Sequence, residues 1–328
     1  MSRYLVTGGA GFIGSHLVQA LLRHGHEVVA FDSLTTGRLT NLYPTKEARR
    51  FEFIQASVLD ELAVDEAVRQ CDIVVHLAAA VGVKLIVEQP LYSLTTNIRG
   101  AISVLQAAHR YRRKVLVTST SEIYGKNGAG PLSETADRIL GSPAVSRWAY
   151  STSKAVDEIL AYAYHRERDL PTIVVRLFNT VGPRQSPAYG MVIPRLVRQA
   201  LAGEDLTVYG DGSQTRCFCH VTDAVEALIG LVDEPRAEGD VFNVGSSEEI
   251  SIGQLASRII ERTGSSSRIV HVPYDVAYES GFEDMARRVP DTTKINQLID
   301  WKPKRNLDDV LDDVVAEVQA EQAGDAAR

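Results

Sequence analysis

Thr7-Gly8-Gly9-Ala10-Gly11-Phe12-Ile13-Gly14 is the stretch on which the fold turns. It follows a short apolar run, Tyr4 to Val6, and opens a segment, Phe12 to His24, with apolar residues at Phe12, Ile13, Leu17, Ala20 and Leu21. That spacing is helical, so the glycines fall in a strand-to-helix turn. Glycines there let the backbone turn tightly and approach a pyrophosphate. The helix start adds unpaired N–H groups and a partial positive charge. Asp32, at the end of the next β-prone run, is placed to accept hydrogen bonds from a ribose diol and to repel a 2′-phosphate. NAD is therefore expected over NADP, with Arg38 nearby as the one counterweight.

Outward from this turn, Glu27 to Phe31, Phe51 to Ile54, Ile73 to His76 and Val115 to Val117 are further short β-prone runs, separated by helix-like or turn segments such as Ile102 to Ala108. The alternation predicts an α/β protein whose parallel sheet carries helices on both faces. Past about Arg176 the pattern loosens. Pro183, Pro187, Gly190 and Pro194 punctuate a loop, Gly210-Asp211-Gly212 turns after Leu206 to Tyr209, and Val241 to Val244 reads as a late strand. The expected organisation is a Rossmann-type doubly wound sheet over residues 1–178, continued by about 213–248. A smaller, discontinuous substrate-binding lobe then comes from 179–212 and 249–328, with a fraying helix end from about Glu317.

Composition narrows the function classes. The 328 residues are 45% hydrophobic and 23% charged, enough for a sizeable core, and the net charge of −7 with no basic block argues against a nucleic-acid partner. Cys71, Cys217 and Cys219 lack the spacing of a disulfide framework or a zinc site, so no metal is expected and Cys217-Phe218-Cys219 reads as strand. The opening Met1-Ser2-Arg3-Tyr4-Leu5-Val6 shows no signal peptide, and no apolar run is long enough for a membrane span, so a cytoplasmic protein is expected.

Tyr150-Ser151-Thr152-Ser153-Lys154 supplies chemistry to set beside the dinucleotide. Tyr150 and Lys154 lie four apart in Trp148 to His165, a stretch that reads as helix, and so share a face. A free phenol is a poor base at neutral pH. A neighbouring ammonium and a positive nicotinamide ring favour phenolate and make Tyr150 a general acid and base. Thr118-Ser119-Thr120-Ser121-Glu122 follows the strand Val115 to Val117 and emerges at the carboxyl edge of the sheet, where ligands bind; Thr120 is the hydroxyl expected to orient a substrate alcohol.

At this point the chain resembles the extended short-chain dehydrogenase/reductase family, and within it the sugar-nucleotide epimerases, decarboxylases and dehydratases. The likeness runs from the glycine loop through His76-Leu77-Ala78-Ala79, Ser121-Glu122-Ile123-Tyr124-Gly125, Tyr150 to Lys154, Arg176-Leu177-Phe178-Asn179 and Gly182-Pro183-Arg184 to Val208-Tyr209-Gly210. The resemblance implies oxidation of a sugar hydroxyl at C4 by bound NAD, a 4-keto intermediate, and later return of the hydride. It also implies cofactor contacts at Gly8, Gly11, Phe12, Ile13, Asp32, Ser33, Thr36, Gly37, Val58, Leu77, Ala78, Ala79, Tyr150 and Lys154, with Lys154 on the nicotinamide ribose. Ser57 stands where the family often has an aspartate against adenine, and replaces it only partly. For a UDP-sugar it implies Arg216 and Arg288 on the diphosphate, Asn179 on phosphate or sugar, Met191 to Pro194 (Val192 and Ile193 included) and Tyr209 around the base, and Ser121, Glu122 and Tyr150 at the sugar. Arg287 is read as a surface charge. A homodimer, through Leu91 to Arg110 and Trp148 to His165, is implied by the same likeness.

The family's reactions diverge after the first oxidation. Ser121-Glu122, where dehydratases carry Asp-Glu, argues against 4,6-dehydration. Ser-Glu and Gln214-Thr215-Arg216 are shared with UDP-glucuronate decarboxylases, but Tyr150 to Ala155 lacks the acidic residue and arginine usual in their helix. Gly82-Val83-Lys84 resembles the Gly-Val-Arg of uronate 4-epimerases. The expectation is a UDP-glucuronate/UDP-galacturonate 4-epimerase in which the Thr120 and Ser121 hydroxyls, with a charge partner such as Arg184, hold the substrate carboxylate against loss of carbon dioxide. UDP-glucuronate decarboxylase and UDP-glucose 4-epimerase are the alternatives. A non-enzymatic dinucleotide-binding regulator is the reading from another class, disfavoured by the tyrosine and lysine.

Overall fold

The structure, a computed structural model, describes residues 1–82, 85, 88–128, 130–186, 191–273, 285 and 287–326. Val83 and Lys84 of the Gly82-Val83-Lys84 stretch, and the loop residues Pro187 and Gly190, lie outside the described residues.

Seven parallel strands form the central sheet: β1 (Arg3–Thr7), β2 (Glu27–Asp32), β3 (Phe51–Gln55), β4 (Ile73–His76), β5 (Lys114–Thr120), β6 (Thr172–Leu177) and, last, β11 (Val241–Val244). Their spatial order is β11-β6-β5-β4-β1-β2-β3. The chain builds outward from β1 to β3, then reverses to lay β4 against β1's other side, with Thr7 opposite His76 in register. That reversal opens a crevice at the carboxyl ends of β1 and β4, the place where such sheets bind ligands. The strands are apolar along their length because both faces are covered. On one face α1 (Phe12–Arg23) and α6 (Val221–Asp233) bring Leu17, Leu21, Val225 and Leu228 onto Val6 and Leu116. On the other, α2 (Glu61–Arg69), α3 (Pro90–Tyr111) and α4 (Arg147–Arg168) cover Leu5, Val74 and Val115 with Val64, Val104 and Ala161.

Local chemistry starts and stops these helices. Asp60 caps α2 by accepting from the Ala63 N–H, and Pro90 sits in the first turn of α3, where a missing N–H costs nothing. The stripe Ile102 to Ala108 is thus the second half of a longer helix. In the lobe, Ser251 and Gln254 form a reciprocal capping box at the start of α7 (Ile252–Thr263), which ends on Gly264 at φ +63°.

The lobe has its own core, where α5 (Val192–Ala202), α7 and α9 (Leu307–Ala326) pack Leu196, Leu255 and Leu311 around Val208 of β8 (Leu206–Tyr209). Three features of the organisation differ from the sequence reading. β9 (Thr215–Cys217) pairs antiparallel with β12 (Glu249–Ser251) instead of returning to the large sheet; that return comes at β11. α8 (Thr293–Ile299), expected in the lobe, places Ile295, with Trp301 just after it, in the core of the large sheet. The helix does not fray at Glu317: Val318 is buried in the lobe core and Glu317 accepts the Arg184 backbone N–H.

Candidate active site

The crevice at the carboxyl ends of the strands continues between sheet and lobe as one cleft of about 690 Å³, running from Asp32 to Arg288. At its cofactor end the glycine turn is held by its own packing. Gly8 has φ +71°, and a Cβ there would lie 2.9 Å from the Ala78 nitrogen; a Cβ on Gly14 would lie 2.0 Å from the Gly8 carbonyl oxygen. Only a glycine fits at either place, so the turn and the loop after β4 pack backbone to backbone. Gly11 is the N-cap of α1 and offers no side-chain acceptor, which leaves the first N–H groups of the helix for an anion.

Asp32 is nearly buried, and its carboxylate accepts from the Ala10 N–H at 3.0 Å and the Leu34 N–H at 2.8 Å. Burial raises its pKa from the usual carboxylate value, while these backbone donors pull the other way. Gly8, Phe12, Ile13, Ser33, Thr36, Ser57, Val58, Leu77, Ala78 and Ala79 all line the cleft with it. Gly37 does not; it backs onto Asp32, where a Cβ would come within 2.8 Å of the carboxylate. The Ser57 hydroxyl oxygen accepts the Leu59 N–H at the cleft wall. A glycine cradle, open helix N–H groups and an inward carboxylate fit a dinucleotide with a free ribose diol.

Thr120, Tyr150 and Lys154 all line the cleft. The Thr120 oxygen accepts the Glu122 N–H at 3.2 Å, capping the short 3-10 turn Ser121–Tyr124, so its own hydrogen remains to be donated. Tyr150 is pinned from behind: Ser153 donates to its carbonyl at 2.8 Å and receives the Asn97 amide at 3.1 Å, while the Asn97 oxygen accepts the Ala80 N–H at 2.8 Å. Lys154, 2% exposed, gives a hydrogen bond of 2.7 Å to Asp157, which is fully buried. His76 lies under the same floor, sharing a 2.8 Å hydrogen bond with the Thr7 hydroxyl; burial first and the Lys154 charge second push its pKa down to about 3, so it is neutral. The sequence reading gave no role to Asn97, Asp157 or His76. For Asp157 the signal was present, an acid three residues after Lys154 on the same helix, but it reads as a surface charge until the helix is docked.

At the far end, Arg288 binds the Asn179 side-chain oxygen at 2.7 Å and lies 3.6 Å from the Glu122 carboxylate. Asn179 in turn donates to the Cys217 carbonyl at 2.9 Å. Arg216 on β9 lines the same wall, and Ser121, Val192, Ile193 and Tyr209 complete it, with the Arg195 guanidinium 4.6 Å above the Tyr209 ring. Both wall arginines are 8% exposed, a burial that suits cations meant for an anionic ligand. Arg287 instead forms a two-point pair with Glu249 on the surface, as expected. Arg184 departs from expectation. It touches the cleft, but its guanidinium is committed to Ser15 at 3.1 Å, Gln19 at 3.0 Å and the Asn41 carbonyl at 3.4 Å, on the cofactor side. A carboxylate clamp at the sugar is not where this arginine is held.

All three cysteines are free and buried, and burial pushes Cys71 up to about 11 and Cys217 up to about 12, so neither supplies a thiolate. Among the described residues no cluster of His, Cys, Asp and Glu has the makings of a metal site, and no helix is long and apolar enough to cross a membrane.

Comparison with known proteins agrees with this geometry. The sequence model of the GDP-mannose 4,6 dehydratase family matches residues 5–314. The chain is similar to a UDP-N-acetyl-alpha-D-glucosaminuronate decarboxylase of Bacillus cytotoxicus, 43% identical over 95% of this chain and 96% of that one. It is also similar to UDP-glucuronic acid decarboxylase 1 of Xenopus tropicalis, 35% identical over 95% of this chain and 71% of the relative. Among solved structures it resembles UDP-glucuronic acid 4-epimerase of Bacillus cereus in complex with UDP-glucuronic acid and NAD, with TM-score 0.88 and 29% identity over 97% of this chain and 99% of that one.

Proposed function

We propose that this chain, which belongs to the GDP-mannose 4,6 dehydratase family of extended short-chain dehydrogenases/reductases and takes NAD as cofactor, is a UDP-hexuronate decarboxylase. UDP-N-acetylglucosaminuronate is the first substrate to test and UDP-glucuronate the second, in the order of identity to the two decarboxylases. The coarser assignment, an NAD-dependent enzyme acting on sugar nucleotides, holds whichever product forms.

The observation that carries the reading is the placement of Arg184. Oxidation of a uronate at C4 puts a ketone β to the C6 carboxylate. An epimerase must then hold that carboxylate against loss; Thr120 and Ser121 line the cleft, but the charge partner expected beside them, Arg184, is tied to Ser15 and Gln19 instead. Decarboxylation needs no clamp. The C5–C6 bond breaks, carbon dioxide leaves, the electron pair of the broken bond passes into the enolate of the ketone, and C5 takes up a proton from water.

The glycine turn and Asp32 would hold NAD, which when bound would supply a two-electron acceptor and donor for C4. Tyr150 removes the C4 hydroxyl proton and gives it back at the end, Lys154 stabilises the phenolate, and Thr120 donates to the same oxygen. Arg216, Arg288 and Asn179 take the diphosphate. We assign Ser121 and Glu122 to the C5–C6 end of the sugar.

Product analysis decides the matter. Incubation with either uronate is expected to release carbon dioxide in step with a UDP-pentose. Formation of the C4-epimeric uronate without gas release overturns the decarboxylase reading and restores the epimerase, the activity named for the Bacillus cereus structure.

A further inference from the structure

The catalytic lysine is one half of a buried ion pair. Lys154 and Asp157 sit three apart on α4, with side chains 3% and 0% exposed and a separation of 2.7 Å. One Asp157 oxygen accepts from the ammonium; the other is buried and finds no partner among the described residues. A carboxylate so placed gives up hydration on both oxygens and regains one charge-assisted bond, a poor exchange for stability alone. Burial raises its pKa, and the Lys154 ammonium opposes that rise.

The other ionisable groups packed around the pair are neutral or paired elsewhere. His76 of β4 faces Lys154 but is held neutral, its Nε2 buried and unpartnered among the described residues. Glu158, the acid beside Asp157, is committed to Arg176 of β6 through two contacts and to the Ser119 hydroxyl of β5. From α3 the neutral Asn97 reaches Ser153, and Tyr92 and Thr96 line the same cleft. The charge that this floor places one helical turn from Tyr150 is that of Lys154, with Asp157 set against it.

We propose that Asp157 is a positioning residue for the Tyr150 and Lys154 pair: it fixes the ammonium on the cleft floor and offsets part of its charge, raising the pH at which the phenol ionises. This rests on the reading that Tyr150 and Lys154 carry the proton chemistry. An ammonium has three N–H donors, so Asp157 takes one and leaves two for the phenol and the ribose. The offset has a use: a redox cycle that ends where it began needs a phenol able to return its proton, and an unopposed lysine would hold it as phenolate.

The test is the pH dependence of kcat/KM for the NAD-bound protein, with tyrosinate absorbance followed in parallel. Asp157→Asn is expected to move the acid limb and the tyrosinate titration about one unit lower, as removing a nearby negative charge favours phenolate. Asp157→Glu, which keeps the charge, is expected to leave both near the wild-type position. An acid limb that stays in place in a folded, NAD-loaded Asp157→Asn overturns the proposal. If that variant does not fold, Asp157→Ser carries the same prediction, and failure of both to fold overturns the proposal in favour of a purely structural pair. Tyr150→Phe run alongside separates the two levels: its retention of turnover sinks the underlying reading, whereas its loss together with an unmoved limb sinks this inference alone.

Discussion

Arg176 grips Glu158 at two points beneath the active site, Nε to one oxygen at 2.9 Å and a terminal nitrogen to the other at 2.7 Å, with both side chains under 10% exposed. Burial acts to lower the arginine's pKa, but hydrogen bonding and charge from Glu158 overcome it and hold the group above its ordinary value. The guanidinium also donates to the Tyr124 hydroxyl at 2.9 Å, which passes a hydrogen bond of 2.7 Å to Asn243 on β11. Glu158→Ala therefore strands a buried cation, and urea unfolding is expected to show a loss of about 3–5 kcal/mol. A loss under about 1 kcal/mol would mean that water reaches Arg176 and that the network is not closed.

The cofactor cradle is tested at Gly14. A Cβ there lies 2.0 Å from the Gly8 carbonyl oxygen, which is backbone and has no route of retreat. Gly14→Ala is expected to fold but to lose bound NAD, measured as nucleotide released on denaturation. Retention of a full complement would show that the turn is not the pyrophosphate site.

Tyr150→Phe removes one oxygen at the centre of the cleft. Its turnover is expected to fall by about 10²-fold or more, the usual scale for a lost general acid and base, with NAD content unchanged. Thr120→Ala, which also uncaps the Ser121–Tyr124 turn, is expected to lower turnover while Thr120→Ser preserves it. Equal activity in Thr120→Ala and Thr120→Ser would remove the hydroxyl from its assigned role.

His76 sets a pH dependence of stability. Its pKa is near 6.5 in an unfolded chain and about 3 when folded, so both states are neutral above 6.5 and only the unfolded state binds the proton between the two values. Unfolding is thus favoured as pH falls through that window, at roughly 1.4 kcal/mol per pH unit from this one group. His76→Asn is expected to flatten the slope by that amount in urea midpoints measured from neutral pH downward. A slope that survives unchanged would assign the acid sensitivity to other groups.

The half of the molecule that reads from sequence is the half built from repeated, local signals. Strand, glycine turn, helix and Asp32 follow one another within a few dozen residues, and each apolar run names its own burial. The lobe resists because β9 and β12 are three-residue strands whose partner lies far along the chain. The end of α9 resists because an Ala-, Glu- and Gln-rich surface hides the single face that carries Val318. Arg184 was legible as a cation near the site but not as to its partner, since Gln19 stands on the first helix of the fold. Asp157 and His76 are visible in sequence, but their roles depend on lost hydration, which only packing reveals.

Arg184 has a mechanical consequence. Its backbone N–H donates to Glu317 of α9 while its guanidinium reaches Ser15 and Gln19 on α1, so one residue rivets α9 to the helix that follows the glycine turn. Load applied to α9, by a fusion partner or a surface tether, is transmitted across that rivet to the nucleotide cradle. Attaching an immobilisation handle elsewhere, for instance beside the exposed Leu62 on α2, leaves the cradle unstrained.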